Sequence, residues 1–240
     1  MTVGMFSGGI CSFLAMTRVK PDVLLFSDTG EEDPDLHRFN ADASAYLNVP
    51  LITVSAGFTF DEMIERNHAL PSNRMPFCSR ELKTIPAKKW LSEHKDATRL
   101  VFGIDWTETH RVPRVEKLWP GFEILCPMTA RPLLMKFMMI EECRNLGIEP
   151  PGLYASGFQH NNCGGGCVRQ GHSGWRHLHR MRPETFNKWA KRESLIPGFS
   201  FCKDRRGGET RPITLLELVA SQPELEPDWG GCGCFLEETP

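Results

Sequence analysis

The amino-acid sequence predicts an α/β fold: an open, mostly parallel, doubly wound sheet with a cysteine-rich C-terminal extension. Short apolar segments alternate with helix-like segments as far as about residue 150, and this alternation is typical of a parallel sheet with helices on both faces. The first apolar segment runs into a turn with two glycines, and then into a helix-like run. After Pro150 the alternation ends, and Gly, Cys, His and Arg become frequent. We therefore expect an α/β domain over residues 1–150 and an extension over residues 151–240 that packs on it.

Five segments are predicted to be strands because they are short and mostly apolar, as parallel strands buried on both faces are. The second segment ends in the polar pair Ser27-Asp28. Ligands bind beyond the carboxyl ends of the strands in sheets of this kind, so that end is a candidate binding edge. The predicted strands are residues 2–6, 22–28, 50–55, 98–105 and 122–128.

Several predicted helices carry end signals. Asp33 is expected to cap its helix, with Pro34 in the first turn, and Gly147 is expected at the C-terminal end of a later helix. Pro86 is expected to kink or divide its helix, because proline removes a backbone donor. The predicted helices are a run to about residue 18 and residues 33–47, 79–94, 132–147, 183–194 and 214–221.

The composition is that of a globular protein with a sizeable core, since 40% of the 240 residues are hydrophobic and 24% are charged. The uncharged segment Met1–Thr17 has no cationic start and is interrupted by glycines and serines, so we interpret it as a buried strand and turn and not as a signal peptide. No apolar run reaches 18 residues, and we expect no membrane partner. The expected location is the cytoplasm.

Charge is unevenly distributed along the chain. Residues 161–212 contain eleven Lys and Arg against four Asp and Glu, whereas the whole chain has 28 and 30. A basic region of this kind favours contact with phosphates, and tRNA or DNA is the expected partner. A solvated basic surface is an equally good interpretation of the charge alone. Within this region, residues 202–212 are either an anion-binding loop or an exposed hairpin turn around Gly207-Gly208.

The turn after the first strand, Ser7-Gly8-Gly9-Ile10-Cys11-Ser12, has the composition of an anion-binding loop. Glycines allow a close backbone approach, and the N–H groups that open the following helix favour a negative charge. A tight strand–helix turn without a ligand would use the same glycines. The segment is neither a Walker A loop nor a GxGxxG dinucleotide fingerprint.

This hexapeptide, "SGGICS", resembles the SGGxxS pyrophosphate loop of the adenine nucleotide alpha-hydrolase (PP-loop) superfamily. Many of its members have Lys-Asp where this chain has Ile10-Cys11. Further segments resemble the phosphoadenosine phosphosulfate (PAPS) reductase-like branch, in order and rough spacing over nearly the whole chain. They are "FSDTGEEDPDLHRF" (26–39), "FCSRELKTIP" (77–86), "VFGIDWTETHRV" (101–112) and "LGIEPPGLYASGFQHNNCGGGC" (146–167).

The resemblance implies a PP-loop (HUP-like) fold that binds an adenine nucleotide, ATP with Mg²⁺, and cleaves it between the α and β phosphates. Asp28 is then a candidate contact to the nucleotide or its Mg²⁺ and is a candidate catalytic residue; its alternative role is a turn cap. The implied nucleotide-binding residues are Ser7, Gly8, Gly9, Ser12, Asp28, Lys83, Arg111 and Arg114.

Two close cysteine pairs, Cys163/Cys167 and Cys232/Cys234, are candidate metal ligands. Four thiolates bind either Zn²⁺ or an iron–sulfur cluster, and clustered cysteines in a reducing compartment more often serve metals or chemistry than disulfides. Zinc held by these four cysteines, with Cys78 a buried thiol, is the alternative to the iron–sulfur hypothesis.

The resemblance adds Cys78 to the candidate ligands, because the iron–sulfur branch places cysteines in that segment. It implies a [4Fe–4S] cluster on Cys78, Cys163, Cys167 and one tail cysteine, assigned to Cys232. The other tail cysteine, Cys234, is then the candidate catalytic nucleophile, as in the mobile C-terminal cysteine of the family's reductases. Cys126 and Cys143 are expected in the core.

Three functions remain open from the sequence. The first is ATP-dependent adenylation of an acceptor, followed by transfer of sulfur to that acceptor. The candidate acceptors are a tRNA base and a DNA backbone, and a separate protein donates sulfur or electrons. The second is a sulfonucleotide reductase in which a thiolate attacks adenylyl sulfate. The third is a catalytically inactive module that is stabilised by a bound metal and binds nucleotide or nucleic acid.

Overall fold

The computed structural model describes residues 1–205, 209–221, 228 and 229. A five-stranded sheet lies at the centre, and all of its neighbouring strands are parallel. The predicted α/β class with an open parallel sheet is confirmed. The strand order is β3-β2-β1-β4-β5, and the strands are β1 (Thr2–Phe6), β2 (Val23–Asp28), β3 (Leu51–Ser55), β4 (Arg99–Phe102) and β5 (Glu123–Leu125).

Helices connect these strands and continue into the extension. Those of the first 150 residues are α1 (Ile10–Val19), α2 (Pro34–Leu47), α3 (Phe60–Asn67), α4 (Phe77–Ser79), α5 (Ile85–Glu93), α6 (Val112–Leu118) and α7 (Lys136–Asn145). Those after Pro150 are α8 (Gly152–Ala155), α9 (His172–Met181), α10 (Pro183–Ser194) and α11 (Leu215–Ala220).

The predicted helix over residues 79–94 is divided, as Pro86 suggested. A short π-helical segment, Arg80–Thr84, joins α4 to α5, and Pro86 stands in the first turn of α5. A proline is tolerated there because the first N–H groups of a helix have no partner within the helix. The turn that precedes α5 carries Lys83 into a buried position.

Alternate residues of the central strands pack on opposite faces of the sheet. On one face, Phe6 and Leu24 pack with α1, α2 and α7; on the other, Met5 and Leu25 pack with α5 and α6. Because both faces are covered, β1 is buried along its whole length, which is why its sequence is continuously apolar instead of alternating.

A third apolar cluster joins the extension to the first 150 residues. Phe60 and Phe77 lie in the same cluster as Trp175 and Trp189. Packing is therefore continuous across residue 150, and the boundary between residues 150 and 151 stays a prediction. The structure adds an antiparallel pair, β6 (Cys202–Asp204) with β7 (Arg211–Ile213); the predicted turn around Gly207-Gly208 lies outside the described residues.

The described part of the chain contains no helix with the length and apolar character needed to span a membrane.

Candidate functional site

A cleft opens at the carboxyl edge of the sheet, between β1 and β4. The chain builds the sheet outward from β1 to β3 and then returns to place β4 on the other side of β1. Ligands bind at such a reversal of strand order, because the loops after the two strands diverge and leave a crevice. The cleft has a volume of about 190 Å³, and its lining includes Ser7, Gly9, Cys11, Ser12, Gly103 and Asp105.

The loop after β1 has a shape that depends on glycine. Gly8 has φ +73°, and a Cβ there would lie 2.8 Å from the side chain of Leu36. The N–H of Ser7 donates to Oγ of Ser12 across the loop at 3.1 Å. Ser12 therefore has a structural role in closing the turn besides lining the cleft.

The amino end of α1 faces this cleft and carries no capping side chain of its own. Gly9 is its N-cap and makes no side-chain cap, and no acidic residue lies in the first turn. The first N–H groups of a helix carry partial positive charge and attract phosphate oxygens. The geometry is therefore that of a phosphate cradle, formed by the loop backbone and the helix end.

The two positions that depart from the superfamily motif have different surroundings. Ile10 is fully buried in the core, so no ligand contact is available to it. Cys11 lines the cleft, and burial, followed by the negative charge of Asp105, raises the pKa of its thiol to about 12. The Cys11 thiol is therefore protonated near neutral pH and is a poor nucleophile.

Charged side chains of both signs line the cleft. Arg111 forms an ion pair with Glu108 at 2.6 Å, and both residues belong to the lining. Lys136, the first residue of α7, has its ammonium group 5.7 Å from the ring centroid of Tyr154. Lys136 and Tyr154 both line the cleft, and sequence reasoning missed both, because no local motif marks a residue brought in from a distant helix.

Asn161 connects the extension to the loop after β1. Its Nδ2 donates to the carbonyl oxygen of Gly8 at 2.9 Å. The side chain lines the cleft and is 4% exposed, and its Oδ1 has no hydrogen-bond partner among the described residues. Asn161 is not among the site residues predicted from the sequence, where only its position two residues before Cys163 marks it.

The structure separates the other predicted nucleotide-binding residues from this cleft. Asp28 ends β2, and its Oδ1 accepts the N–H of Gly30 at 2.9 Å, as expected of a turn cap. Arg114 is exposed on α6. Neither residue lines the cleft, whereas Ser7, Gly9 and Ser12 do so together with Arg111.

Lys83 lies beside the cysteines instead of the phosphate loop. It is 7% exposed and is therefore not a solvated surface lysine. Its Nζ lies 3.4 Å from Oε1 of Glu32, in a pair whose side chains are 9% and 2% exposed. Oε2 of Glu32 accepts the N–H of Cys163 at 3.3 Å, which holds the cysteine loop against this buried ion pair.

Cys163 and Cys167 lie side by side. Cys163 has φ +48° and is followed by Gly164 with φ +59°, so a left-handed turn brings the two cysteines together. Their thiols are hydrogen-bonded, and this bond, followed by burial, raises the pKa of Cys163 well above its usual value. Cys78 and Cys163 both pack against the third apolar cluster.

The complete predicted ligand set is not present among the described residues. Cys232 and Cys234 lie outside them. Within residues 1–205, 209–221, 228 and 229, no group of three or more His, Cys, Asp or Glu is arranged to hold a metal ion. The adjacent thiols of Cys163 and Cys167 suit two ligands of a thiolate-bound group, and the rest of the set stays a prediction. Cys143 is buried, as predicted, and Cys126 is half-buried.

Part of the positive charge of residues 161–212 is used inside the molecule. Arg192 forms ion pairs with Glu31 and Asp61 at 2.6 Å each. Arg182 pairs with Asp33, and Lys188 also pairs with Glu31. These basic residues therefore attach the extension to the acidic loop after β2 and to α3, which carries Asp61. A nucleic-acid surface, if it lies in this region, has to use other cations.

Comparison with known proteins gives distant structural similarities. No protein-family model and no curated protein matches the chain. Among solved structures, the chain is similar to a PAPS reductase from Candida auris in its phosphate complex, with 14% identity and a TM-score of 0.49 over 65% of this chain and 78% of that one. It is also similar to the U34-tRNA thiolase NcsA from Methanococcus maripaludis with its [4Fe-4S] cluster, with 14% identity and a TM-score of 0.46 over 94% and 82%.

Proposed function

We propose that this chain binds ATP in the cleft between β1 and β4 and adenylates an acceptor oxygen, which sulfur then replaces. The observation that carries the proposal is the uncapped amino end of α1 behind the Ser7–Gly9 loop, at the reversal of strand order. A triphosphate requires a cradle for its pyrophosphate part, whereas a sulfonucleotide does not.

The residues of the cleft have distinct roles in this proposal. The loop N–H groups and α1 bind the β and γ phosphates, and the ammonium group of Lys136 neutralises their charge. Asn161 holds the Gly8 peptide in the orientation that keeps the cradle open. Mg²⁺ that accompanies ATP prefers carboxylate oxygens, and Asp105 lines the cleft, whereas Asp28, predicted for this role, does not.

The proposed chemistry has two displacement steps. The acceptor oxygen attacks the α-phosphorus of ATP, the bond between that phosphorus and the bridging oxygen breaks, and pyrophosphate leaves. The acceptor oxygen is then part of an adenylate, which is a good leaving group. A sulfur nucleophile from a donor protein attacks the carbon or phosphorus that bears this oxygen, and AMP leaves with the electron pair of the broken bond.

The cysteine site would supply the sulfur chemistry. The adjacent thiols of Cys163 and Cys167 would supply two ligands to a [4Fe–4S] cluster, and Cys78 and Cys232 are the predicted third and fourth ligands. Such a group, when bound, presents or activates sulfur for transfer. The chain itself holds the cysteine loop in place. The N–H of Cys163 donates to Glu32 beside the cysteines, and Asn161 donates to Gly8 in the phosphate loop, so one loop contacts both sites.

The function is tested by product analysis. With ATP and an acceptor, we expect pyrophosphate and AMP, and no sulfite from adenylyl sulfate. Release of sulfite would support the reductase, whose proposed nucleophile Cys234 lies outside the described residues. Tight ATP binding with no turnover under any acceptor would support the inactive binding module.

Replacement of Lys136 by alanine is expected to weaken ATP binding about 10-fold or more, because a charge-assisted contact to phosphate is lost. Isothermal titration calorimetry measures the dissociation constant. Lys117→Ala, which removes an exposed lysine of α6 outside the cleft lining, is the matched control and should bind ATP as the unmodified protein does. An equal loss in both variants would mean that Lys136 acts through overall charge alone.

Replacement of Cys78 by serine is expected to abolish assembly of the iron–sulfur cluster, because a neutral hydroxyl does not replace a thiolate ligand. Iron and acid-labile sulfide are measured after purification without oxygen. Cys126→Ser, at a half-buried cysteine away from the pair, should keep its iron. A Cys78→Ser protein with full iron content would contradict the ligand set, and one zinc without sulfide in the unmodified protein would favour the structural zinc alternative.

A further inference from the structure

A second and larger cavity lies on the extension, away from the phosphate loop. Three chain segments meet there: residues 70–75 before α4, residues 168–172 before α9, and residues 198–205 up to β6. Together they enclose a groove of about 970 Å³. We call it the basic groove, because its lining includes Arg74, Arg169, Lys203 and Arg205.

The charges of the basic groove favour an anionic ligand. Two acidic residues, Asp204 and Asp228, belong to its lining beside the four cations. Asp204 is bonded to Arg211 at 3.1 Å and is largely buried, so its charge is compensated within β6 and β7. Arg74, Lys203 and Arg205 take no part in the ion pairs that attach the extension to Glu31, Asp33 and Asp61.

Apolar side chains are exposed next to these cations. Phe199 is 41% exposed and Met75 is 51% exposed, and both line the basic groove. An exposed aromatic ring beside arginines and lysines is the combination that binds single-stranded nucleic acid, because bases stack on the ring while cations contact the backbone. An acidic peptide would use the cations but would leave the ring without a planar partner.

The basic groove is connected to the cleft by shared residues. Gln170 lines both the basic groove and a small cavity of about 30 Å³ beside Cys167 and Trp229. His160 and Asn162 line that small cavity and also the cleft between β1 and β4. The small cavity, which Cys167 lines, therefore lies between the basic groove and the cleft.

We propose that the basic groove binds a single-stranded segment of nucleic acid and directs it towards the cleft. The binding itself rests on the groove alone. The further statement that this segment is the acceptor of sulfur rests on the proposed function. Backbone phosphates contact Arg74, Lys203 and the two other cations, a base stacks on Phe199, and the next nucleotides lead towards Cys167.

The proposal is tested by fluorescence anisotropy of the full chain with labelled 12-nucleotide single strands of DNA and RNA at several salt concentrations. We expect the doubly substituted Arg74→Gln, Lys203→Gln protein to bind more weakly, with a salt-dependence slope smaller by about 1.4, since each contact to a single strand contributes about 0.7. Phe199→Ala should weaken binding about 5- to 100-fold with an unchanged slope. Lys191→Ala, an exposed lysine of the same basic region outside the groove lining, is the control and should not alter binding.

The results that would overturn the proposal are distinct. Equal weakening by Lys191→Ala would show that only net charge matters. Competition by an acidic peptide as effective as that by an oligonucleotide would make the ligand an acidic protein. Absence of single-strand binding would end the proposal even if ATP is turned over. Pyrophosphate release is measured separately, so strand binding without ATP turnover would support binding in the basic groove and contradict only the proposed function.

Circular dichroism shows whether the double variant folds. If it does not, Arg74→Gln alone, in an exposed loop position, provides the same comparison with an expected slope change of about 0.7.

Discussion

Replacement of Arg192 by alanine is expected to lower the free energy of unfolding by about 3–5 kcal/mol, because the buried carboxylate of Glu31 then keeps only the half-exposed Lys188 as a partner. The guanidinium group is 3% exposed and bonds to both carboxylate oxygens of Glu31, which is 9% exposed. It also lies 4.6 Å and 4.8 Å from the ring centroids of Phe60 and Trp189. Urea unfolding followed by far-UV circular dichroism measures the change.

Lys188→Ala is the matched control for this prediction. Lys188 also pairs with Glu31, at 2.9 Å, but half of its side chain is exposed. Exposed ion pairs contribute about 0–1 kcal/mol, so this variant should unfold close to the unmodified protein. A loss below about 1 kcal/mol for Arg192→Ala would contradict the view that the extension depends on this buried contact with the loop after β2.

Replacement of Gly103 by alanine is expected to damage the phosphate cradle. A Cβ at Gly103 would lie 2.5 Å from Cα and 2.6 Å from the backbone nitrogen of Ser12. Both are backbone atoms of α1, so the amino end of this helix has to move away from β4. We expect ATP binding to weaken at least about 10-fold, since the cradle depends on the direction of these N–H groups, and the free energy of unfolding to fall by about 1–3 kcal/mol.

Gly152→Ala distinguishes this effect from a general cost of removing glycine. The nearest atom to a Cβ at Gly152 is Oδ2 of Asp35 at 3.5 Å, an ordinary contact, and the N–H that donates to the same oxygen is retained. Calorimetric titration with ATP and urea unfolding should show this variant close to the unmodified protein. If Gly103→Ala binds ATP equally well, the ligand does not depend on the amino end of α1.

Local patterns in the sequence predicted the elements of the sheet well. The strand Thr2–Phe6 has the predicted limits, and Asp33 caps α2 with Pro34 in the first turn. These features depend on neighbouring residues: continuous burial requires a continuously apolar strand, and a cap requires a short acceptor at one position. The strand order was not predictable, since it depends on which distant segments pair.

Only the part of the candidate site that lies in one continuous segment of the chain was predicted from the sequence. The loop Ser7–Ser12 lies in one continuous segment, and its position after a buried strand identified it. Lys136 and Asn161 come to the same cleft from more than 120 positions away, and no local pattern marks them. Lys83 is a different case: a motif predicted a phosphate contact, the structure places the side chain beside Glu32, and the phosphate contact stays a prediction.

The sequence by itself determined the parallel α/β class, the glycine loop after β1 and the pairing of Cys163 with Cys167 in one short turn, because each depends on residues close together in the chain. Tertiary structure decided which groups share the cleft, which cations form ion pairs with Glu31, and which cations line the basic groove. The physical reason is that burial and charge compensation are properties of neighbours in space. A lysine or arginine in the sequence has the same charge whether it is buried against a carboxylate or lies on an exposed surface.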